Sequence, residues 1–130
     1  MRTAVLIDDD QDDLDILQEV LESIMEVACF KFSYPIDALH FLSTQVNPVD
    51  FIFVDYNMPN LNGEEVLIRI RTKEDYRNSI VTILSTSIDK AAIERLKSRG
   101  ANYAFEKSVK FQEFTSNISN VLQGGVRSIP

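Results

Sequence analysis

Three short runs constrain this chain more than anything else in it. Ala4-Val5-Leu6-Ile7, Phe51-Ile52-Phe53-Val54 and Ile80-Val81-Thr82-Ile83-Leu84 are almost continuously apolar and rich in β-branched and aromatic residues. They are strand-length, and they do not alternate. A strand with one wet face alternates polar and apolar residues; a strand that does not is covered on both faces. Such strands belong to a parallel sheet with helices on either side. Each run also stops against polar residues, at Asp8, Asp55 and Ser85.

The segments between the runs supply the helices. Leu14, Leu17, Leu21, Ile24 and Met25 recur at helical spacing, and Ala28–Ser33 reads as a second strand. Pro35 opens a short helix carrying Ala38, Leu39, Phe41 and Leu42 on one side. Gly63–Arg71 is helical through Val66, Leu67 and Ile70, and Ala91–Ser98 is helical with Gly100 as its C-terminal cap. Tyr103–Phe105 is a brief strand. Phe111, Phe114, Ile118, Val121 and Leu122 form the inward stripe of a last helix, which Gly124-Gly125 is expected to end. The pattern is a βα unit repeated five times, an α/β chain of one domain over residues 1–123. Residues 124–130 are expected to form a mobile tail, with no output domain.

In a doubly wound sheet of order 2-1-3-4-5, the strand ends converge on one rim, where ligands bind in such folds. The groups gathered there would be Asp8 and Asp9, then Asp55, then Ser85 and Thr86, then Glu106-Lys107. Carboxylates so placed repel one another in a partly dry site. A hard dication relieves the repulsion, and Mg²⁺ is the fitting one, because it takes oxygen ligands and keeps positions open for water and phosphate. A hydroxyl and an ammonium beside the carboxylates, without a Cys or His cluster, suit phosphate chemistry rather than zinc. An aspartate can attack phosphorus to give an acyl phosphate.

The order and spacing of Leu6-Ile7-Asp8-Asp9-Asp10, Val54-Asp55-Tyr56-Asn57-Met58-Pro59-Asn60-Leu61-Asn62-Gly63, Ile83-Leu84-Ser85-Thr86-Ser87 and Gly100-Ala101 followed by Lys107 resemble the receiver domain of a two-component response regulator, relative of the single-domain chemotaxis receivers. The resemblance covers about residues 3 to 122. It implies a flavodoxin-like (βα)5 sandwich with a five-stranded parallel sheet. It implies that Asp55 accepts a phosphoryl group, that Asp8, Asp9, Asp55 and the Asn57 carbonyl hold Mg²⁺, and that Ser85, the Thr86 backbone and Lys107 engage the phosphoryl oxygens. Asn57 and Ser87 would flank the site and tune autodephosphorylation. The implied partners are a sensor histidine kinase or a histidine phosphotransfer protein and an unidentified downstream protein. Beyond taking and losing its own phosphoryl group, the chain is expected to have no enzymatic activity.

Two positions depart from the family pattern. Ser108 follows the lysine where receivers usually carry a cis-proline, and a cis bond before a non-proline costs ~2.5–4 kcal/mol. A trans bond or a reorganised loop is expected there. Ala104 stands where many receivers place an aromatic switch residue, and Tyr103 next door should face the other side of its strand.

Composition excludes several other classes. A formal net charge of −7 disfavours binding to nucleic acid or to anionic membranes. A lone cysteine, Cys29, permits no internal disulfide framework and reads as a small core residue of a cytoplasmic protein. No stretch approaches the ~20 apolar residues of a membrane span. His40 is expected on a helix surface, and Asp10, Asp12, Asp13 and Asp15 as solvated charges favouring a helix start. An EF-hand on Asp8, Asp10, Asp12 and Glu19 fails for want of glycine at Asp13. An aspartate-nucleophile phosphohydrolase fails because Asn57 cannot act as its acid. The alternative retained is a receiver-like binding module that works without phosphate.

Overall fold

The computed structural model describes residues 1–107 and 109–127, the last three of these as backbone only. Strands and helices alternate from end to end: β1 (Arg2–Ile7), α1 (Gln11–Ile24), β2 (Val27–Phe32), α2 (Pro35–Thr44), β3 (Phe51–Asp55), α3 (Gly63–Arg71), a 3-10 turn (Glu74–Tyr76), β4 (Ile80–Ser85), α4 (Lys90–Ser98), β5 (Tyr103–Glu106) and α5 (Phe111–Arg127). The sheet runs β2-β1-β3-β4-β5 with every pairing parallel, the flavodoxin-like order expected.

Burial explains why the three apolar runs do not alternate. All of β3 is buried, as are the last four residues of β1 and the last five of β4. Val5, Ile7, Ile52, Val54, Val81 and Ile83 face a core closed by α2, α3 and α4. Ala4, Leu6, Phe51, Phe53 and Leu84 face a second core, closed by α1 and α5. The edge strands β2 and β5 are only partly buried. Cys29 therefore lies half-buried at the sheet edge rather than in the core, where burial pushes its thiol up to about 11.

Register delivers the rim. Ile7 pairs with Val54, Asp55 with Leu84, and Ser85 with Glu106, so the residues closing β1, β3, β4 and β5 lie side by side. Caps hold the helices that begin there. Asp10 accepts hydrogen bonds from the Asp12 and Asp13 amides at the start of α1. Asn62 and Glu65 form a reciprocal capping box at the start of α3. Gly100, at φ +113°, ends α4 in a conformation few other residues adopt.

Two features of α5 correct the sequence reading. Phe111 is 66% exposed, because it opens the helix beyond the edge of the core. The helix also does not stop at Gly124-Gly125 but continues to Arg127. Gly124 serves packing instead: a Cβ there would collide with the Tyr103 hydroxyl. Of the expected tail, residues 124–127 are thus helical, and 128–130 lie outside the described residues. Tyr103 packs with the α1/α5 core and Ala104 with the opposite one, as strand alternation requires. His40 is exposed, as expected.

Candidate functional site

Asp8, Asp9 and Asp55 each bring a carboxylate oxygen within 4.8 Å of the other two. Asp8 and Asp55 are buried and Asp9 is exposed, so the group opens to solvent on one side. Asp8 divides its oxygens: Oδ1 accepts from the Asp10 amide at 3.0 Å and Oδ2 from Lys107 at 2.9 Å. Asp55 is held differently. Lys107 Nζ lies 3.1 Å from its Oδ1, yet that buried oxygen has no aligned hydrogen-bond donor. The aligned N–H groups of the ammonium go to Asp8 and to Asp13.

The electrostatics follow from this placement. Burial pushes the Asp55 carboxyl up to about 6, with the negative charge of Asp8 adding to the effect and Lys107 opposing it. Burial likewise raises Asp8, against the Asp10 amide and Lys107. Burial works against the charge of Lys107, but its bonds to Asp13 and Asp8 outweigh it and hold the ammonium above its ordinary range. A half-buried group of acids with one under-satisfied oxygen suits a hard, oxygen-seeking dication, and the residues present fit Mg²⁺ or Mn²⁺.

Ser85 lies on the other side of Asp55 and is fully buried. Its hydroxyl donates to the Ser87 carbonyl at 2.7 Å and accepts from Asn57 Nδ2 at 3.2 Å. The Asn57 amide also reaches Thr86 Oγ1 at 3.4 Å. The loop after β4 is tied further by the Ile88 amide, which donates to Glu106 Oε1 at 3.3 Å. Beside the ammonium a cavity of about 100 Å³ opens, lined on its polar side by Asp8, Asp13, Asp55 and Lys107 and on its apolar side by Leu14, Leu17 and Phe114.

The backbone behind Asp55 leaves no slack. The Gly63 amide donates to the Tyr56 carbonyl at 2.9 Å, drawing the start of α3 against the end of β3. The intervening turn passes through Asn60 at φ 71°, which asparagine tolerates better than most residues. The Tyr56 hydroxyl accepts from Arg95 Nη2 at 3.0 Å, and Arg95 Nε donates to Glu64 at 3.1 Å, linking this turn to α4.

Asp8, Asp9, Asp55, Asn57, Ser85, Thr86 and Lys107 thus stand on one rim as the sequence places them. The Lys107–Ser108 bond lies outside the described residues. Asp10 is a helix cap rather than a loop ligand, which removes the EF-hand reading. Asp13 is the residue the sequence reading missed: it is not a solvated charge but a direct partner of Lys107 at 2.9 Å. The signal was its spacing, one turn before buried Leu17, which puts it beside the inward stripe of α1.

A family model described as response regulator receiver domain matches residues 4–119. The cyclic di-GMP phosphodiesterase response regulator RpfG of Xanthomonas campestris pv. campestris (strain 8004) is 27% identical over 120 residues, 92% of this chain and 31% of that protein. The chain spans about a third or less of the length of the curated relatives it matches. Among solved structures, the phosphorylated cyanobacterial phytochrome response regulator RcpA superposes with a TM-score of 0.83 at 21% identity, covering 99% of this chain and 96% of that one. The Mn(2+)-bound form of response regulator Rcp1 superposes with a TM-score of 0.79 at 22% identity, covering 93% and 91%. At these identities the structures show a shared fold. Among the described residues, no helix is long and apolar enough to cross a membrane.

Proposed function

This chain belongs to the response regulator receiver domain family, and from that premise we propose that it is a phosphorylation-controlled signalling switch whose acceptor is Asp55. The observation that carries the reading is the state of Asp55 Oδ1: buried, 3.1 Å from an ammonium, and without an aligned donor. An oxygen kept under-satisfied at a rim of acids is available for bond formation.

In the proposed transfer, an Asp55 oxygen attacks the phosphorus of a phosphohistidine on a histidine kinase or phosphotransfer protein. The new P–O bond forms as the P–N bond breaks. The electron pair of that bond returns to the imidazole nitrogen, which takes up a proton. Lys107, anchored at the same rim, would screen the charge that the phosphoryl group brings. The Ser85 hydroxyl, next to Asn57, is placed to turn from the Ser87 carbonyl toward the phosphoryl oxygen, with the Thr86 amide assisting. Asp8, Asp9, Asp55 and the Asn57 carbonyl would hold Mg²⁺, which supplies positive charge to offset that of the phosphoryl group. The Mn(2+) named for Rcp1 supports a dication of this class.

The signal then leaves through a protein-binding surface in the cytoplasm. Turnover is limited to gain and loss of the chain's own phosphoryl group. The surface of α4, β5 and α5 is the proposed output face, reached from the site through the loop after β4 and through Tyr56–Arg95. Ala104 leaves no aromatic at the usual switch position on that face.

The test is intact mass after incubation with a small acyl-phosphate donor and Mg²⁺. One added phosphoryl group on the wild type, absent from Asp55→Asn and lost when the metal is chelated, is the expected result. No adduct under metal-replete conditions would reject the proposal in favour of the phosphate-independent module.

A further inference from the structure

We propose that Asp13 is a positioning residue for Lys107, giving the ammonium a second resting place so that a dication can take over Asp8 and Asp55; the inference rests on the metal-dependent reading of the site given above.

The geometry separates Asp13 from the other acids. Lys107 Nζ is 2.9 Å from Asp8 Oδ2, 2.9 Å from Asp13 Oδ2 and 3.1 Å from Asp55 Oδ1. Asp8 and Asp55 belong to the three-carboxylate group; Asp13 does not. It stands on α1 rather than at a strand end, and its side chain is 36% exposed against 10% for Asp8 and 5% for Asp55. Asp13 therefore holds the solvent side of the ammonium and the two strand-end acids hold its inner side.

A dication and an ammonium cannot both neutralise Asp8 and Asp55 at short range without repelling each other. Metal entry therefore weakens two of the three ion pairs of Lys107 and leaves the third intact. The structure provides for the shift. The cavity beside the ammonium is lined by Asp8, Asp13 and Asp55 together with Leu14, Leu17 and Phe114, whose apolar side chains give the aliphatic stem a bed on which it can shift among the three carboxylates. The backbone of Asp13 is itself tied down. Its amide donates to Asp10 Oδ1 at 3.4 Å, and the Asp10 amide is bonded to Asp8 Oδ1, so the first turn of α1 is tied to the same strand end. The lysine thus moves between anchors that share one scaffold.

Without Asp13, the ammonium has only the two carboxylates that the metal requires. Lys107 then competes directly with the dication. Half-buried ion pairs of this type are worth ~1 kcal/mol, which corresponds to about a fivefold change in affinity.

The experiment is calorimetric titration of the metal-free protein with Mg²⁺ alone, as a double-mutant cycle. Asp13→Asn is expected to weaken Mg²⁺ binding about fivefold. Asp12→Asn, which removes the same charge from an exposed neighbour on the same turn, is expected to change it less than twofold. In a Lys107→Met background, and equally in Lys107→Gln, the Asp13→Asn effect is expected to vanish. An equal loss with Lys107 present or absent would show that Asp13 acts through its field on the metal and would overturn the proposal. So would Asp13→Asn matching Asp12→Asn. A wild type that binds no Mg²⁺ would sink both this role and the switch reading, whereas binding with no Asp13 effect would sink this role alone.

Discussion

The α-carbon of Gly63 is pressed against the backbone of Asp55: a Cβ at Gly63 would lie 2.7 Å from the Asp55 carbonyl oxygen and 2.7 Å from the Tyr56 α-carbon. Both neighbours are backbone, so neither can give by a rotamer change. The glycine that opens α3 therefore sets how far the end of β3 can travel.

Gly63→Ala is accordingly expected to cost ~2 kcal/mol in urea unfolding, within the range for overpacking a well-packed site. It is also expected to slow phosphoryl uptake at Asp55, because the displaced backbone carries the proposed acceptor. Mass spectrometry over time with an acyl-phosphate donor reads the second effect. An alanine variant with wild-type rate and stability would mean that the contact relaxes at no cost.

The Asp55 carboxyl gives a pH dependence with a definite sign. It is raised from 3.8 to about 6 in the folded protein. Between those values the native state keeps a proton that the unfolded chain has lost, so stability falls as pH rises, and above about pH 6 the penalty is complete. Metal-free Asp55→Asn should therefore be more stable than wild type at pH 7, by ~2 kcal/mol, with the gap closing toward pH 4. Paired denaturant curves across this range check it. A gap that does not change with pH would remove the acid's titration as the cause.

Metal should relieve the same penalty. A ligand at ten times its dissociation constant stabilises the native state by ~1.4 kcal/mol, enough to raise the melting midpoint of a domain this size by about 4 °C. Mg²⁺ is expected to do so for the wild type and not for Asp9→Ala, whose carboxylate contributes to the acidic group without being buried. Differential scanning fluorimetry with and without a chelator reads the difference. Equal shifts in both proteins would place the metal elsewhere.

Far from the rim, Arg71 offers a test of the scaffold. Its guanidinium donates to the carbonyls of Gly100, Tyr76, Arg77 and Ser79 and to Asn102 Oδ1. It thereby ties α3 to the 3-10 turn and to the loop before β5 without any carboxylate partner among those bonds. Arg71→Ala is expected to cost ~3 kcal/mol, since it strands several half-buried carbonyls at once. Arg71→Lys should recover less than half of that, because an ammonium cannot span the fork. The loss should be insensitive to Mg²⁺, in contrast to substitutions at the rim.

The fold was legible because β1, β3 and β4 are covered on both faces, which writes itself into sequence as unbroken apolar runs ending in polar groups. Parallel pairing then aligns those ends, which is why the sequence alone assigns Asp8, Asp55, Ser85 and Lys107 to one rim. The misreadings lie where long-range packing decides. Asp13 and Lys107 are 94 positions apart, and only the packing of α1 beside α5, on one face of the sheet, brings them together. Gly124 reads as a helix stop by its own propensity, but its neighbour in space is Tyr103, and the helix carries on. Phe111 looks inward by periodicity, yet periodicity does not say where a core ends. Cys29 lies on an edge strand, whose partial exposure is set by its place in the sheet order.

The Ser85 hydroxyl has a single hydrogen, and the loop after β4 already holds it through the Ser87 carbonyl. Ser85 can serve a new acceptor beside Asp55 only by taking that hydrogen away. Donation to the rim and donation to the loop are therefore mutually exclusive uses of one proton. If the chain works as proposed, its signal rests on an either-or choice by a single O–H bond, one that a methyl group in its place could not make.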